Sequence, residues 1–149
     1  MSDTYPCTVE NIDVVLDELL DDYLTEDVLP GMREGIKKTT RDMVRMTKET
    51  APTDGGKWRQ QGFPPHRPGG TFRKAITYST YGYGMSFTGV WRVRSPEYRL
   101  THLIENGHEL HVFGKYKHKR TKGANFVEDA RNVAEAEVVP NIVKAIGER

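Results

Sequence analysis

Cys7 is the only cysteine in a chain of 149 residues, so no disulfide can form within it. The chain is therefore compatible with a reducing compartment. No apolar run approaches the roughly 20 residues that a membrane span needs. The first residues are acidic and have neither the charged start nor the apolar middle of a secretory signal, so a protein made and used in cytoplasm is expected. Catalytic signatures are equally scarce. There is no GxSxG elbow and no CxxC pair, and Gly69-Gly70-Thr71 is too short to be a phosphate loop. Acids near Cys7 disfavour its thiolate. No catalytic residue and no cofactor is assigned, and the chain is expected not to be an enzyme.

Basic residues are missing from one end altogether. Residues 1–30 hold nine acids (Asp3, Glu10, Asp13, Asp17, Glu18, Asp21, Asp22, Glu26 and Asp27) and no lysine or arginine. The sign reverses late in the chain, where Lys115, Lys117, Lys119, Arg120 and Lys122 fall between Glu109 and Glu128 with no acid among them. A formal net charge of +1 therefore hides two poles of opposite sign. Such poles are either solvated faces or the two halves of a self-complementary building block.

Periodicity gives an α+β reading, with a small antiparallel sheet packed by N-terminal helices and a C-terminal helix. Ile12, Val15, Leu16, Leu19, Leu20 and Tyr23 follow helical spacing with acids on the other face, and Thr8 or Asn11 is placed to cap that helix. Pro30-Gly31 should break or kink the run. A second helix is expected over about 31–50, with Met32, Ile36, Met43 and Met46 on one stripe. Lys37, Lys38, Arg41, Arg45 and Lys48 stand opposite, and Pro52 is the stop. Residues 52–70 read as a long loop rich in glycine and proline, carrying Trp58 and Phe63. Ile76–Thr80 and Met85–Val93 alternate as a hairpin around Gly82-Tyr83-Gly84, and Ser95-Pro96 ends it. A short helix over 97–106 should stop at Gly107. His111-Val112-Phe113 reads as a strand, 114–123 as a basic loop, and Val127–Ile146 as a last helix kinked or restarted at Pro140. The whole, 1–149, is taken as a single domain.

Three of the five histidines lie within residues 102–111. His102, Glu105, His108 and His111 are spaced three apart, which drifts around a helix by about 60° per step. The zincin pattern needs histidines four apart with glutamate next to the first, and it is absent. No metal site is assigned. His102 and Glu105 are instead expected to hydrogen-bond locally near a helix end. The run from Lys115 to Lys122, which includes Tyr116, suits a phosphate backbone or a neighbouring subunit. Trp58, Phe63, His108, Lys115, Lys117, Lys119, Arg120 and Lys122 are the candidate contact residues.

The order of elements, with Thr50-Ala51-Pro52-Thr53-Asp54-Gly55-Gly56, Gly69-Gly70-Thr71-Phe72-Arg73-Lys74-Ala75-Ile76 and Tyr98–His108, resembles the neck or tail-completion family of tailed bacteriophages, the head–tail joining or minor tail components. That family's pattern runs A-P-x-D-T-G-x-L-R-x-S-I, then strands, then Y-x-x-x-x-E-x-G-T/H and a terminal helix. Here the first motif is split by Lys57–Pro68, unless Trp58-Arg59 stands for its leucine–arginine pair. The resemblance covers roughly residues 30–147. It implies a structural virion protein that forms a homo-oligomeric ring, usually hexameric, at the head–tail junction. Its partners would be other copies of itself, connector or stopper proteins, and the tail tube or tail terminator. DNA would pass through unread, and no membrane would be involved. Host cytoplasm during assembly and the virion neck are the implied locations. A tail terminator or connector adaptor is the alternative, and a small DNA-binding or metal-dependent domain a more distant one.

Overall fold

The computed structural model describes residues 9–52, 71–112, 115–120 and 122–149. The fold is α+β. Helix α1 (Val9–Tyr23) runs through a π-helical turn (Leu24–Val28) into α2 (Leu29–Thr50). After the short α3 (Thr71–Ala75) come strands β1 (Ile76–Tyr81) and β2 (Thr88–Val93), then α4 (Tyr98–Asn106), β3 (Glu109–Val112), β4 (Lys115–Arg120) and α5 (Phe126–Gly147). The antiparallel pairing takes the form of two separate two-stranded sheets, β1-β2 and β3-β4.

Of the break or kink expected at Pro30-Gly31, the break does not occur. Pro30 lacks the N–H that would bond the carbonyl four residues back, and its ring crowds that carbonyl. The helix widens by one residue in the preceding turn, where the Leu29 N–H reaches Leu24 O, and then continues. Pro30 sits in the first turn of α2, where a missing donor costs least. At the other end α2 stops at Thr50, and Ala51 adopts φ −58°, ψ 135°, the extended conformation that Pro52 imposes on its predecessor. Arg73 satisfies the orphaned carbonyls there, donating from Nε to Ala51 O and from Nη2 to Glu49 O at 2.6 and 3.1 Å.

Helices α2 and α5 run antiparallel in close contact: Gly31 lies against Ile146, Gly35 against Ile142, and Asn141 Nδ2 donates to Thr39 Oγ1. A Cβ on Gly35 would stand 2.6 Å from the Ile142 Cα, so this approach requires glycine. Small residues and threonines, rather than the methionine stripe, form the buried face of α2; Met32, Ile36, Met43 and Met46 are only half-buried. The buried hydroxyls are satisfied along the helix, Thr39 donating to Gly35 O and Thr47 to Met43 O.

The β1-β2 hairpin covers the far half of α2. Its register pairs Ile76 with Val93 and Tyr78 with Trp91, and Trp91 Nε1 donates to Thr47 Oγ1 at 2.9 Å. Val44, Ala51, Phe72, Ala75, Ile76, Val93 and Phe126 make the core, with Phe72 edge-on to Phe126 at 6.0 Å. Strand β2 begins at Thr88, so Met85, expected on the core face, is exposed in the turn.

Two further expectations are corrected. The basic segment is not a loop: Lys115–Arg120 is strand β4, antiparallel to β3, with Val112 opposite Lys115 and Glu109 opposite Arg120. Its alternation of cations with Tyr116 and His118 is a period of two, which the density of charge conceals. Nor does Pro140 restart the last helix, since α5 is continuous. The carbonyl it leaves without a helical partner belongs to Ala136, and both residues are exposed. Residues 53–70, and Thr8 as a cap for α1, lie outside the described residues.

Candidate functional site

Among the described residues, eight apolar side chains are buried, whereas sixteen large ones are exposed. Surface of that kind, where contiguous, marks a place where something else binds. Its largest block is α1. Ile12, Val15, Leu16, Leu19, Leu20 and Tyr23 form one helical stripe, and each is 42–64% exposed. They were expected to supply core; instead they face solvent. The cause is geometric. Gly31, at the start of α2, already lies beside Ile146 near the end of α5. The roughly 30 Å of helix before Val28 therefore projects past the described end of α5, at 1.5 Å per residue. Being one unbroken run with α2, it cannot fold back.

Covering these six side chains, already about half-buried, would contribute about 1 kcal/mol each, or on the order of 6 kcal/mol gross. Association costs roughly 4–15 kcal/mol in lost freedom. One arm contact alone is therefore marginal and needs charge or multiplicity to hold. The charge is present. Asp13, Asp17, Glu18, Asp21 and Asp22 are exposed on the arm and have no cationic partner among the described residues.

The complementary surface lies on the outer side of the α2·α5 pair. Lys37, Arg41 and Lys48 are exposed there without an ion-pair partner among the described residues, while Lys38 and Arg45 share Asp42 at 3.0 and 3.2 Å. A groove of about 530 Å³ runs between the helices, lined by the cations Lys37, Lys38, Arg41 and Lys144 and by the acids Glu34, Asp42 and Glu148. Lys38 Nζ donates to Asn141 Oδ1 at 2.9 Å across it. Val133, Val139 and Val143 are exposed elsewhere on α5, and none of them lines this groove. Across the helix, Arg131 Nε donates to Glu135 Oε1 at 2.7 Å; this bond and the carboxylate's charge raise the arginine pKa, and the group stays charged at any working pH.

The histidine segment turns out to be a joint between helices. Glu105 does not bond locally to His102. It reaches α5, where the Val127 N–H donates to its Oε2 at 3.0 Å and the Glu128 N–H to its Oε1 at 2.9 Å. A carboxylate on two first-turn amides caps the positive end of α5, a task its N-cap Asn125, left-handed at φ 49°, does not perform with its own side chain. The Ala124 N–H donates to Ile104 O, closing the joint. His102 is exposed and His108 half-buried. Among the described residues, no three His, Cys, Asp or Glu side chains converge as metal ligands.

Of the contact residues read from the sequence, Lys115, Lys117, Lys119 and Arg120 share strand β4, with Lys115 and Arg120 exposed at its ends. Lys122 is exposed just after it, and His108 is engaged at the other side of the hairpin, before β3. Trp58 and Phe63 lie outside the described residues. The sequence reading missed the uncovered state of α1, the Gly31/Gly35 seam and the cap made by Glu105. Glycines four apart on a helix carrying threonines four and twelve residues further on, Thr39 and Thr47, were a usable sign of the seam. No protein-family model matches the chain, and no curated protein or solved structure matches it.

Proposed function

We propose that the chain is a structural virion protein of a tailed phage, a subunit of the ring at the head–tail junction that joins the connector to the tail tube and lets DNA pass. The observation that carries this reading is the arm: an amphipathic helix held off the body with its whole apolar stripe uncovered. A subunit made to be built into something larger needs such a surface, and a self-sufficient enzyme does not. The resemblance of Thr50–Gly56, Gly69–Ile76 and Tyr98–His108 to the tail-completion pattern supplies the setting, and the opposed charge poles suit contacts that repeat around a ring. Its partners are then other copies of itself, probed first, and the connector and tail components above and below. A tail terminator or connector adaptor is the second reading, favoured by the same arm.

Negative-stain microscopy and native mass spectrometry of the full chain test the proposal. A closed oligomer of fixed stoichiometry with an axial opening, unchanged by chelator, is expected. A strict monomer binding one zinc per chain would overturn it, and so would steeply salt-dependent duplex binding by a monomer.

A further inference from the structure

We infer that Asn106 is a site of self-modification: the chain cyclises at Asn106-Gly107 and converts this asparagine to aspartate and isoaspartate, which loosens the joint between α4 and α5. The chemistry is independent of the ring reading. One peptide unit combines the features it needs. Asn106 is exposed, and its side-chain amide has no hydrogen-bond partner among the described residues. Gly107 follows it, so no Cβ shields the next backbone nitrogen. That nitrogen is also not tied into the helix. At the ends of α2 and α5 the Ala51 and Glu148 amides return to Thr47 O and Lys144 O, at 2.9 and 3.1 Å. At the end of α4 the Gly107 N–H makes no such bond among the described residues.

The reaction needs only water. The Gly107 nitrogen gives its proton to solvent and attacks Asn106 Cγ. A Cγ–N bond forms, the Cγ–Nδ2 bond breaks, and ammonia leaves, closing a succinimide ring. Water then opens the ring at either carbonyl. Opening at Cγ gives aspartate. Opening at the main-chain carbonyl gives isoaspartate, whose backbone runs through the side chain and is one methylene longer. This is the route by which asparagine is thermolabile. The attack requires the Asn106 backbone to rotate out of the helical range. Inside a helix that rotation breaks hydrogen bonds, whereas at the last residue, with the next amide unbound, it does not. Elsewhere the conjunction is missing. Asn11, Asn125, Asn132 and Asn141 precede Ile12, Phe126, Val133 and Ile142. Asn132 and Asn141 lie inside α5, and the Asn141 side chain is held by Thr39 and Lys38.

The site also lies where a change is felt. Ile104 O and Glu105 O accept from the Ala124 and Asn125 amides at 2.9 and 3.3 Å, and the Glu105 carboxylate caps α5. Gly123 faces this backbone so closely that a Cβ on it would stand 2.8 Å from the Asn106 carbonyl carbon. Isoaspartate would place a free carboxylate on that carbon. Aspartate would add negative charge at the C-terminal end of α4, where the helix dipole is already negative.

The full chain, held in warm, mildly alkaline buffer and sampled over weeks, tests this by peptide mapping with electron-transfer fragmentation, which separates aspartate from isoaspartate. Residue 106 should convert before any other asparagine, with isoaspartate in excess, and the melting point of the aged protein should fall by several degrees. Asn106→Gln, whose longer side chain cyclises far more slowly, should age without that fall. Any isomerisation at Asp54-Gly55 is common to both chains and cancels in the comparison. If Asn106 stays intact in the folded chain while the same chain in urea converts it, the last turn of α4 shields the site and the inference fails. Conversion of Asn132 or Asn141 ahead of Asn106 overturns it too. Conversion with an unchanged melting point, or an equal fall in Asn106→Gln, overturns the loosening of the joint.

Discussion

Gly107 ends α4 with φ 72° and ψ 168°, a region closed to any residue with a Cβ. The sequence marked this glycine as a helix stop, and its positive φ agrees, but its ψ is extended rather than helical. The chain thus leaves α4 straight into β3 instead of curling into a left-handed cap. Gly107→Val should destabilise the protein by about 1–3 kcal/mol, seen as a melting point lowered by several degrees; an unchanged melting point would remove the constraint. Two residues earlier, Glu105 acts at a distance that spacing alone cannot reveal, because its amide partners are 22 and 23 residues away. Glu105→Ala should cost about 1–2 kcal/mol, the usual effect of losing a helix N-cap. Glu105→Gln, which keeps one good acceptor, should cost less. Thermal unfolding ranks the two, and equal losses would show that packing rather than capping is what the side chain provides.

Elements were legible where a local rule sets them. Pro52 stops α2, Gly82 turns the β1-β2 hairpin at φ 94°, and alternation around Trp91 finds the core face of β2. The segment misread was β4, hidden under its lysines; at Pro30 and Pro140, where a kink or a break was expected, there is no break, a π turn preceding the one and α5 running through the other. The face of α2 was misread for a different reason. Methionines look like core, yet the closest packing is made by what lacks a side chain. Glycine within a helix ordinarily costs about 1 kcal/mol relative to alanine, so Gly→Ala there should stabilise. At Gly35 the opposite is expected, because the new Cβ would meet the Ile142 Cα at 2.6 Å and two helix backbones would have to separate. Gly31→Ala should be milder, since the Ile146 side chain at 2.6 Å can move and the backbone Cα behind it stands at 2.9 Å, farther than the Ile142 Cα from Gly35. Denaturant titration of the two variants checks both the sign and the order.

At the scale of the molecule, a helical pattern says which face of α1 is apolar but not what covers it. That depends on where α5 ends relative to α2, and so on contacts more than a hundred residues apart in sequence. The charge poles were visible from the start; that the acidic one stands on a helix continuing α2 beyond its contact with the end of α5 was not. The same geometry governs the arm's dynamics. A helix of 15 residues is marginal alone in water, but α1 is spared nucleation because it grows from α2, which is packed. Its amides should therefore open locally, independently of global unfolding, while those of α2 around Thr39 to Thr47 exchange only with it. If a second copy covers the arm, protection of residues 12–23 must rise with protein concentration while protection in α2 stays constant. Hydrogen exchange measured across a dilution series reads both at once. An arm whose protection is independent of concentration, at levels where the protein sediments as an oligomer, would place the subunit contact on another surface, with the β3-β4 hairpin and its exposed Lys115 and Arg120 next in order.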